Sequence, residues 1–398
     1  MPPIWRWPCD AIAESLFRVC VWLVLLRART SKVVLCMSIN KYQFVVETLT
    51  KEIVGGDLVP LGRFPSERSL MLRFGVARET IRRAVKELEE RGMIYRRRGV
   101  GAFVSCKGNS ERLRIGTLFT GSRYSEIFPR IERSVARLAL AAGFDVVRAD
   151  ASRLDYDAMG RMAVELARKI ASKGVKGVIF QPVEFSNERE SANAEILRIF
   201  ADKGISVVLV DCDAKTAPER SILDLVSLDN FSAGRMLADH LLERRAERVA
   251  VVARKGCADS VLQRIAGVEC VFGFERVDRV FVADCTSQPV LRSALSGLPG
   301  LDAIVCQNDV AAVSVAKVLT GMGLSIPSDV MLAGFDDVSI AGAMCPRLTT
   351  VRQPCEEIAA SAFHRLEERM GRSALPPVTV LHRGELMVRG SSDIYRCR

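Results

Sequence analysis

The chain has 398 residues, of which 49% are hydrophobic and 26% charged, and a formal net charge of +10. That length holds two or three domains with cores of their own, and the composition excludes both a single small module and wholesale disorder. The charge is lopsided: residues 1–112 carry 20 Lys and Arg against 11 Asp and Glu, leaving 37 against 36 for the rest, as expected where one small domain meets a polyanion and a larger one does not.

In chain order, residues 1–38 read as a poorly defined extension. The apolar run Val19–Leu26 lies between Arg18 and Arg27 and is too short to span a bilayer, so no membrane partner is expected. No small-residue cleavage site follows it. The segment is expected to have no packed role, with Met37 a natural alternative beginning.

From Lys41 the text becomes regular, and residues 39–106 form the first domain. Phe44, Val45, Leu49, Ile53 and Val54 recur at a helical period over Tyr42–Gly55. Ser66 is placed to cap a short helix, Glu67–Phe74, and Gly75 to end it. A third helix is predicted from Arg78 to Arg91, with Ile81, Val85 and Leu88 on one face and Gly92 as its terminator. Met93–Arg97 alternates as a strand, Arg98 to Gly101 turns, and Ala102–Ser105 returns. Three helices and a hairpin make a winged helix-turn-helix.

The third helix buries one face and leaves Arg78, Thr80, Arg82 and Arg83 outward near its start. Guanidinium forks match guanine edges and phosphates, and Arg68, one turn into the preceding helix, can clamp the backbone of a duplex. An isolated run of this kind is more often a solvated basic face. The order of residues favours the DNA reading: Pro65-Ser66-Glu67-Arg68, Leu70, Phe74-Gly75-Val76, Arg78, Thr80, Arg82, Ala84, Leu88, Gly92, Ile94, Arg96-Arg97, Gly99, Gly101 and Phe103-Val104 resemble the DNA-binding domain of the GntR family. The resemblance implies DNA contacts from Arg68, Arg78, Thr80 and Arg82, with Gly99 entering the minor groove beside Arg98. Ala77 stands where the family has serine, a lost N-cap of about 1 kcal/mol. Glu79 either accepts from cytosine or favours the helix N-terminus.

After a polar linker, residues 107–112, apolar strands alternate with helical stretches over residues 113–398. The strands include LRIGTLF, FDVVRA, GVIFQP, ISVVLVD, RVAVVA, VFVADC, DAIVCQND and DVMLAGFDD. Continuous apolar strands between helices mean parallel sheets covered on both faces, and their number suggests two α/β lobes. His240, His364 and His382 lie far apart with no nucleophile signature, and the twelve cysteines show no C-x-x-C pair. No catalytic residue, metal site or cofactor is expected, and a reducing cytoplasm fits the cysteine usage. Asp336-Asp337 end a strand, where a tight turn or hinge is the common role.

Asn308-Asp309, Ala312, Gly323, Ile326-Pro327, Asp329-Val330, Gly334-Phe335-Asp336-Asp337, Pro346, Leu348-Thr349-Thr350-Val351 and Gln353-Pro354 resemble the effector domain of the LacI/GalR family, a relative of periplasmic sugar-binding proteins. Ile115-Gly116, Asp229, Ala233-Gly234 and the R-x-x-G of Arg264 and Gly267 extend the resemblance over about residues 113–392. It implies two lobes joined by three crossing strands, with Arg264 and Asp309 bonding ligand hydroxyls from the second lobe. Ser122, Tyr124, Phe185 and Asp213 are candidates from the first lobe by position, as is Phe128; Phe128 and Phe185 serve equally as core. Between Arg264 and Cys285 the chain is shorter than the family pattern.

The expected whole is an α/β chain with an N-terminal winged helix-turn-helix and a two-lobed periplasmic-binding-protein-like domain, similar to arabinose-repressor-type regulators. Its expected partners are operator DNA, a mono- or disaccharide effector and a second copy in a homodimer. A sugar-binding protein of a transport system shares the two-lobed fold and is the alternative.

Overall fold

The computed structural model describes residues 41–393 apart from 60, 98–99, 106–112, 122–124, 150–157, 185–187, 299 and 373–374. The chain divides into two compact units, residues 1–109 and 110–398.

In the first unit, α1 (Lys41–Gly55), α2 (Glu67–Phe74) and α3 (Arg78–Glu90) precede a hairpin of β1 (Ile94–Arg97) and β2 (Gly101–Val104). Val45, Leu49, Leu70, Ile81, Val85, Leu88, Ile94 and Val104 close one core. Removing a side chain such as Leu88 from it costs roughly 2–5 kcal/mol. Ser66 Oγ accepts from the Ser69 amide at 3.1 Å, and Gly75 ends α2 at φ 61°, a left-handed conformation natural to glycine. Ala77 opens α3 with no side-chain cap. The hairpin is antiparallel, from Ile94 opposite Val104 to Arg97 opposite Gly101, and Tyr95 stacks on Phe103 with centroids 5.8 Å apart.

The second unit has two lobes. In the first, β3 (Arg114–Phe119), β4 (Asp145–Arg148), β5 (Gly177–Gln181), β6 (Ser206–Val210), β7 (Asp224–Leu228) and β13 (Thr379–His382) form a parallel sheet in the order β4-β3-β5-β6-β7-β13. The helices α4 (Ile127–Ala142), α5 (Met159–Ala171), α6 (Arg189–Asp202) and α12 (Cys355–Gly371) pack with this sheet. In the second lobe, β8 (Val249–Arg254), β9 (Val277–Val282), β10 (Ala303–Cys306), β11 (Met331–Asp336), β12 (Thr349–Arg352) and β14 (Glu385–Met387) run β9-β8-β10-β11-β12-β14, antiparallel only at β14. The helices α7 (Asn230–Glu243), α8 (Asp259–Phe272), α9 (Gln288–Leu295), α10 (Asp309–Gly321) and α11 (Ser339–Ala343) belong with it. Central strands β5, β10 and β11 are buried along their whole length, the burial that explains their unbroken apolar sequences.

Three connections pass between the lobes: Leu228 to Asn230, Arg352 to Cys355 and His382 to Glu385. The strands involved, β7, β12, β13 and β14, have short or polar sequences that periodicity alone passes over.

Candidate functional site

In the first unit, Arg68, Arg78 and Arg82 are exposed and Thr80 is half-buried. Their geometry is organised by a residue that sequence reasoning left as mere motif: Glu67. Its Oε2 lies 3.4 Å from both Arg78 Nε and Arg82 Nε, and its Oε1 lies 3.9 Å from Arg96 Nη2. One carboxylate from the start of α2 thus gathers arginines of α3 and of the hairpin, restricting rotamers that solvent would otherwise scatter. Arg83 does not join this set, because its guanidinium sits over the Tyr42 ring at 4.5 Å on the side of α1. Arg98 and Gly99 lie outside the described residues.

In the second unit, a cleft of about 400 Å³ opens where strands of both sheets end at their carboxyl termini, the place where open α/β sheets present their loops. The first lobe supplies Ser125 and Phe128 from the β3–α4 region, Glu184 after β5 and Asp211 after β6. The second supplies Ser260 and Arg264 from α8, Gln307 and Asn308 after β10, and Asp336 at the end of β11.

Arg264 is the centre of the second lobe's contribution. Nε donates to Asn230 Oδ1 at 2.8 Å, Nη1 donates to the Gln307 carbonyl at 2.7 Å, and Nη2 lies 3.5 Å from Asp336 Oδ1. The guanidinium also covers the Phe335 ring at 4.7 Å. The spacing to Gly267 has a physical reason. A Cβ on Gly267 would stand 2.2 Å from the Phe231 carbonyl oxygen, and one on Gly234 2.1 Å from the Arg264 carbonyl. Paired glycines let α7 and α8 touch backbone to backbone, and that contact sets the position from which Arg264 reaches the cleft.

Asp336 has φ 104° and Asp337 φ 49°, a run of positive angles that non-glycine residues adopt at a cost where surrounding contacts impose it. Gln353 Nε2 donates to Asp336 Oδ1 at 2.7 Å, while Arg352 and Arg389 hold the Asp337 carboxylate. The two acids therefore part: Asp336 faces the cleft and Asp337 anchors the crossover.

The structure does not bring Asp309 to the cleft. Its side chain is fully buried beneath the first turn of α10; Oδ1 accepts from Thr350 Oγ1 at 2.7 Å and Oδ2 from the Val338 amide at 2.9 Å. Burial, with Asp336 close by, pushes its carboxyl up to about 8. Asp213 is also elsewhere, stapling its own loop through the amides of Lys215 and Ser221. Ser122, Tyr124 and Phe185 lie outside the described residues. Phe128 lines the cleft while packing against Phe119 at 6.2 Å, so it serves core and cleft together.

Glu184 and Asp211, absent from the sequence expectations, form a buried carboxyl pair in the first lobe's wall. Burial raises both; Asp211 beside it raises Glu184 further, while on Asp211 the Arg264 guanidinium pulls down against burial and the neighbouring Asp336. Gln181 Nε2 donates to Glu184 Oε1 at 2.7 Å and Ser260 Oγ to Asp211 Oδ2 at 3.4 Å. With Cys212 the pair brings three donor atoms within 4.8 Å of one another. The same burial raises the Cys212 thiol well above its ordinary value, and a thiol that keeps its proton opposes a cation there. For Asp211 the signal was the polar position directly after an apolar strand; Glu184, three residues beyond the end of β5, carried no such signal.

The lobes are bonded across the cleft. Ser125 Oγ donates to Asp336 Oδ2 at 3.4 Å, the Ser339 amide to Glu126 Oε2 at 3.1 Å, and Arg130 Nη1 to the Asp337 carbonyl at 3.3 Å. On the other rim, Arg189 Nη1 donates to the Gly256 carbonyl at 2.9 Å and the Ala217 amide to Asp259 Oδ2 at 2.9 Å. Short, breakable polar contacts of this kind suit surfaces that separate and rejoin.

Comparison with known proteins matches residues 41–104 to the bacterial regulatory proteins of the gntR family and residues 238–392 to the periplasmic binding protein-like domain. The chain is 24% identical over 375 residues to the arabinose metabolism transcriptional repressor of Geobacillus stearothermophilus, covering 89% of this chain and 98% of that one. It is 25% identical over 338 residues to the regulator CelR of Thermobifida fusca, covering 79% and 89%. Among solved structures, a transcriptional regulator CelR–cellobiose complex superposes with a TM-score of 0.59 at 19% identity, over 86% of this chain and 98% of that one. A LacI family regulator from Enterococcus faecium with bound ribose gives 0.57 at 19% identity, over 70% and 98%.

Proposed function

We propose that the chain, which matches the gntR family over residues 41–104 and a periplasmic binding protein-like domain over residues 238–392, is a DNA-binding transcriptional repressor whose hold on operator DNA is set by a small sugar in the cleft. The observation that carries this reading is the cleft itself. Arg264 offers donors, and Asp336, Glu184 and Asp211 offer acceptors, around a space of about 400 Å³ bounded by Phe128. Hydroxyl groups need both donors and acceptors, and an apolar ring face needs a wall such as Phe128. A relative named for arabinose metabolism and a structural neighbour solved as a cellobiose complex support the sugar reading.

In the first unit, Arg78, Thr80 and Arg82 are the side chains proposed to enter the major groove, Arg68 to grip phosphate, and Arg98 with Gly99 to reach the minor groove. Two copies of the chain are proposed to bind a symmetric operator with half-sites at matched spacing. Closure of the lobes on sugar changes the separation of the two readers. Since coupling is reciprocal, an operator that sugar loosens must weaken sugar binding by the same factor.

Fluorescence anisotropy on an operator-length duplex, titrated with a panel of mono- and disaccharides, tests this. One sugar is expected to shift the operator Kd severalfold, and operator affinity is expected to fall steeply with salt. A chain that ignores duplex DNA in dilute buffer would overturn the reading. The basic first domain favours this function over a transport-linked binding protein.

A further inference from the structure

Outside the cleft, α4 carries Arg130, Arg133 and Arg137 at i, i+3 and i+7, a spacing that sets three guanidiniums on one face of the helix. The fold lays this stripe against two of the three crossovers. Arg352 ends β12 and Arg383 stands between β13 and β14, and the five arginines line a groove of about 590 Å³. We propose that this groove is a second ligand site, which takes a small molecule bearing a phosphate monoester.

The reasoning is one of charge and availability. Three carboxylates, Glu356, Glu357 and Glu385, share the groove with five guanidiniums, two of which are met by acids outside its lining. Arg352 is committed to Asp337 at 2.8 Å and to Glu385 at 3.0 Å. Arg130 is committed to the Asp337 carbonyl and, at 3.6 Å, to Glu126. The other three are not. Among the described residues Arg133 Nε reaches only the Pro129 carbonyl, at 3.3 Å. Arg137 and Glu356 stand 3.9 Å apart with both side chains exposed, an arrangement of little strength. Arg383 is exposed and has no ion pair among the described residues. Guanidinium forks from two directions fit the oxygens of a dianionic phosphate. The first turn of α12 adds little, because Glu356 and Glu357 already sit on its dipole.

The groove is joined to the cleft by bonds already described. Arg130 reaches from the first lobe to Asp337 of the second, and Gln353, in the groove wall, bonds Asp336 in the cleft wall. An anion held jointly by Arg133 and Arg137 on α4 and by Arg383 on a crossover ties a first-lobe helix to the connection between lobes. It favours the closed arrangement, and a ligand that the closed cleft prefers binds more tightly in its presence. The site itself does not depend on the cleft being a sugar site.

The test uses the full chain, with inorganic phosphate and ribose 5-phosphate as probes, free ribose as the cleft control and chloride at matched ionic strength. Calorimetric titration is expected to show saturable ribose 5-phosphate binding that Arg133→Gln and Arg383→Gln each weaken about tenfold or more, with unfolding temperatures unchanged. Neither arginine holds a carboxylate, so both variants should fold. Equal binding by the variants overturns the proposal. So does equal stabilisation by chloride, the mark of an adventitious ion only, or ribose matching ribose 5-phosphate, which places the ligand in the cleft. If Arg137→Glu dissociates an oligomer in sedimentation while neither phosphate probe binds, the groove is a subunit contact and the proposal falls. Loss of the sugar response with phosphate binding intact would fault the cleft reading alone.

Discussion

Gln353 Nε2 donates to Asp336 Oδ1 at 2.7 Å, so the residue that leads β12 into its crossover is bonded to an acid in the wall of the cleft. The bond links the shape of the cleft to the path of the chain between lobes. Gln353→Ala leaves the other cleft residues in place but frees Asp336 to rotate. Sugar affinity is expected to fall about tenfold, since a lost hydrogen bond to a charged group is worth roughly 1.5–3 kcal/mol. Unchanged affinity by calorimetry would mean that the bond has no part in holding ligand.

Arg264→Gln removes the donor that spans Asn230, Gln307 and Asp336 and leaves Asp336 and Asp211 without their buried counter-charge. Sugar-induced stabilisation in a thermal melt is expected to vanish, and the ligand-free chain to lose several kcal/mol. Operator affinity without sugar should persist at a temperature where the variant remains folded. Asp309→Asn, by contrast, should keep the sugar response.

Gly267→Ala should lower the melting temperature by more than Gly256→Ala. At Gly267 the added carbon meets backbone of α7 at 2.2 Å, which cannot move aside without parting the helices. At Gly256, with φ 69° and no neighbour within 4 Å, only backbone strain of about 1 kcal/mol arises. Equal melting temperatures would deny that α7 and α8 require the glycine contact.

Two buried aspartates give opposite pH slopes. Asp309 is pushed up to about 8 by burial, so the folded state holds its proton more tightly than the unfolded chain. Its stabilising effect is complete below about pH 4 and fades as pH rises toward 8. For Asp224 burial pushes upward, but the hydrogen bonds of Arg369 and Arg365 and the Val378 amide win and hold it below the usual carboxylate range. Its contribution is present above about pH 4 and is lost as pH falls. Denaturant melts from pH 2 to 9 should therefore show Asp309→Asn gaining on the parent toward high pH, and Asp224→Asn losing least below about pH 4. Parallel profiles would contradict both assignments.

Arg78→Ala and Arg82→Ala should each cost roughly 1–3 kcal/mol in operator affinity and spare sugar binding. Glu67→Gln should act differently. It removes an acid near the duplex and frees both arginines, so affinity for unrelated DNA should rise while the preference for operator narrows. Anisotropy with operator and scrambled duplexes distinguishes the two behaviours.

The sequence alone determined the ends of α2 and α3, through Ser66, Gly75 and the period of Ile81, Val85 and Leu88. It also determined the parallel character of the sheets, through strands such as AIVC that offer apolar side chains to both faces. These are local properties, written in period and turn chemistry. Which acid enters the cleft was decided only by the tertiary structure. Asp309 and Asp336 both follow apolar strands, but Asp309 begins a helix and turns under it to bond Thr350 and Val338, while Asp336, at φ 104°, turns outward to Gln353 and Arg264. The Glu184–Asp211 pair, the Glu67 hub and the groove between α4 and the crossovers arise in the same way. Each joins residues from separate elements, and side-chain direction at a strand end is set by one or two backbone angles that distant contacts impose.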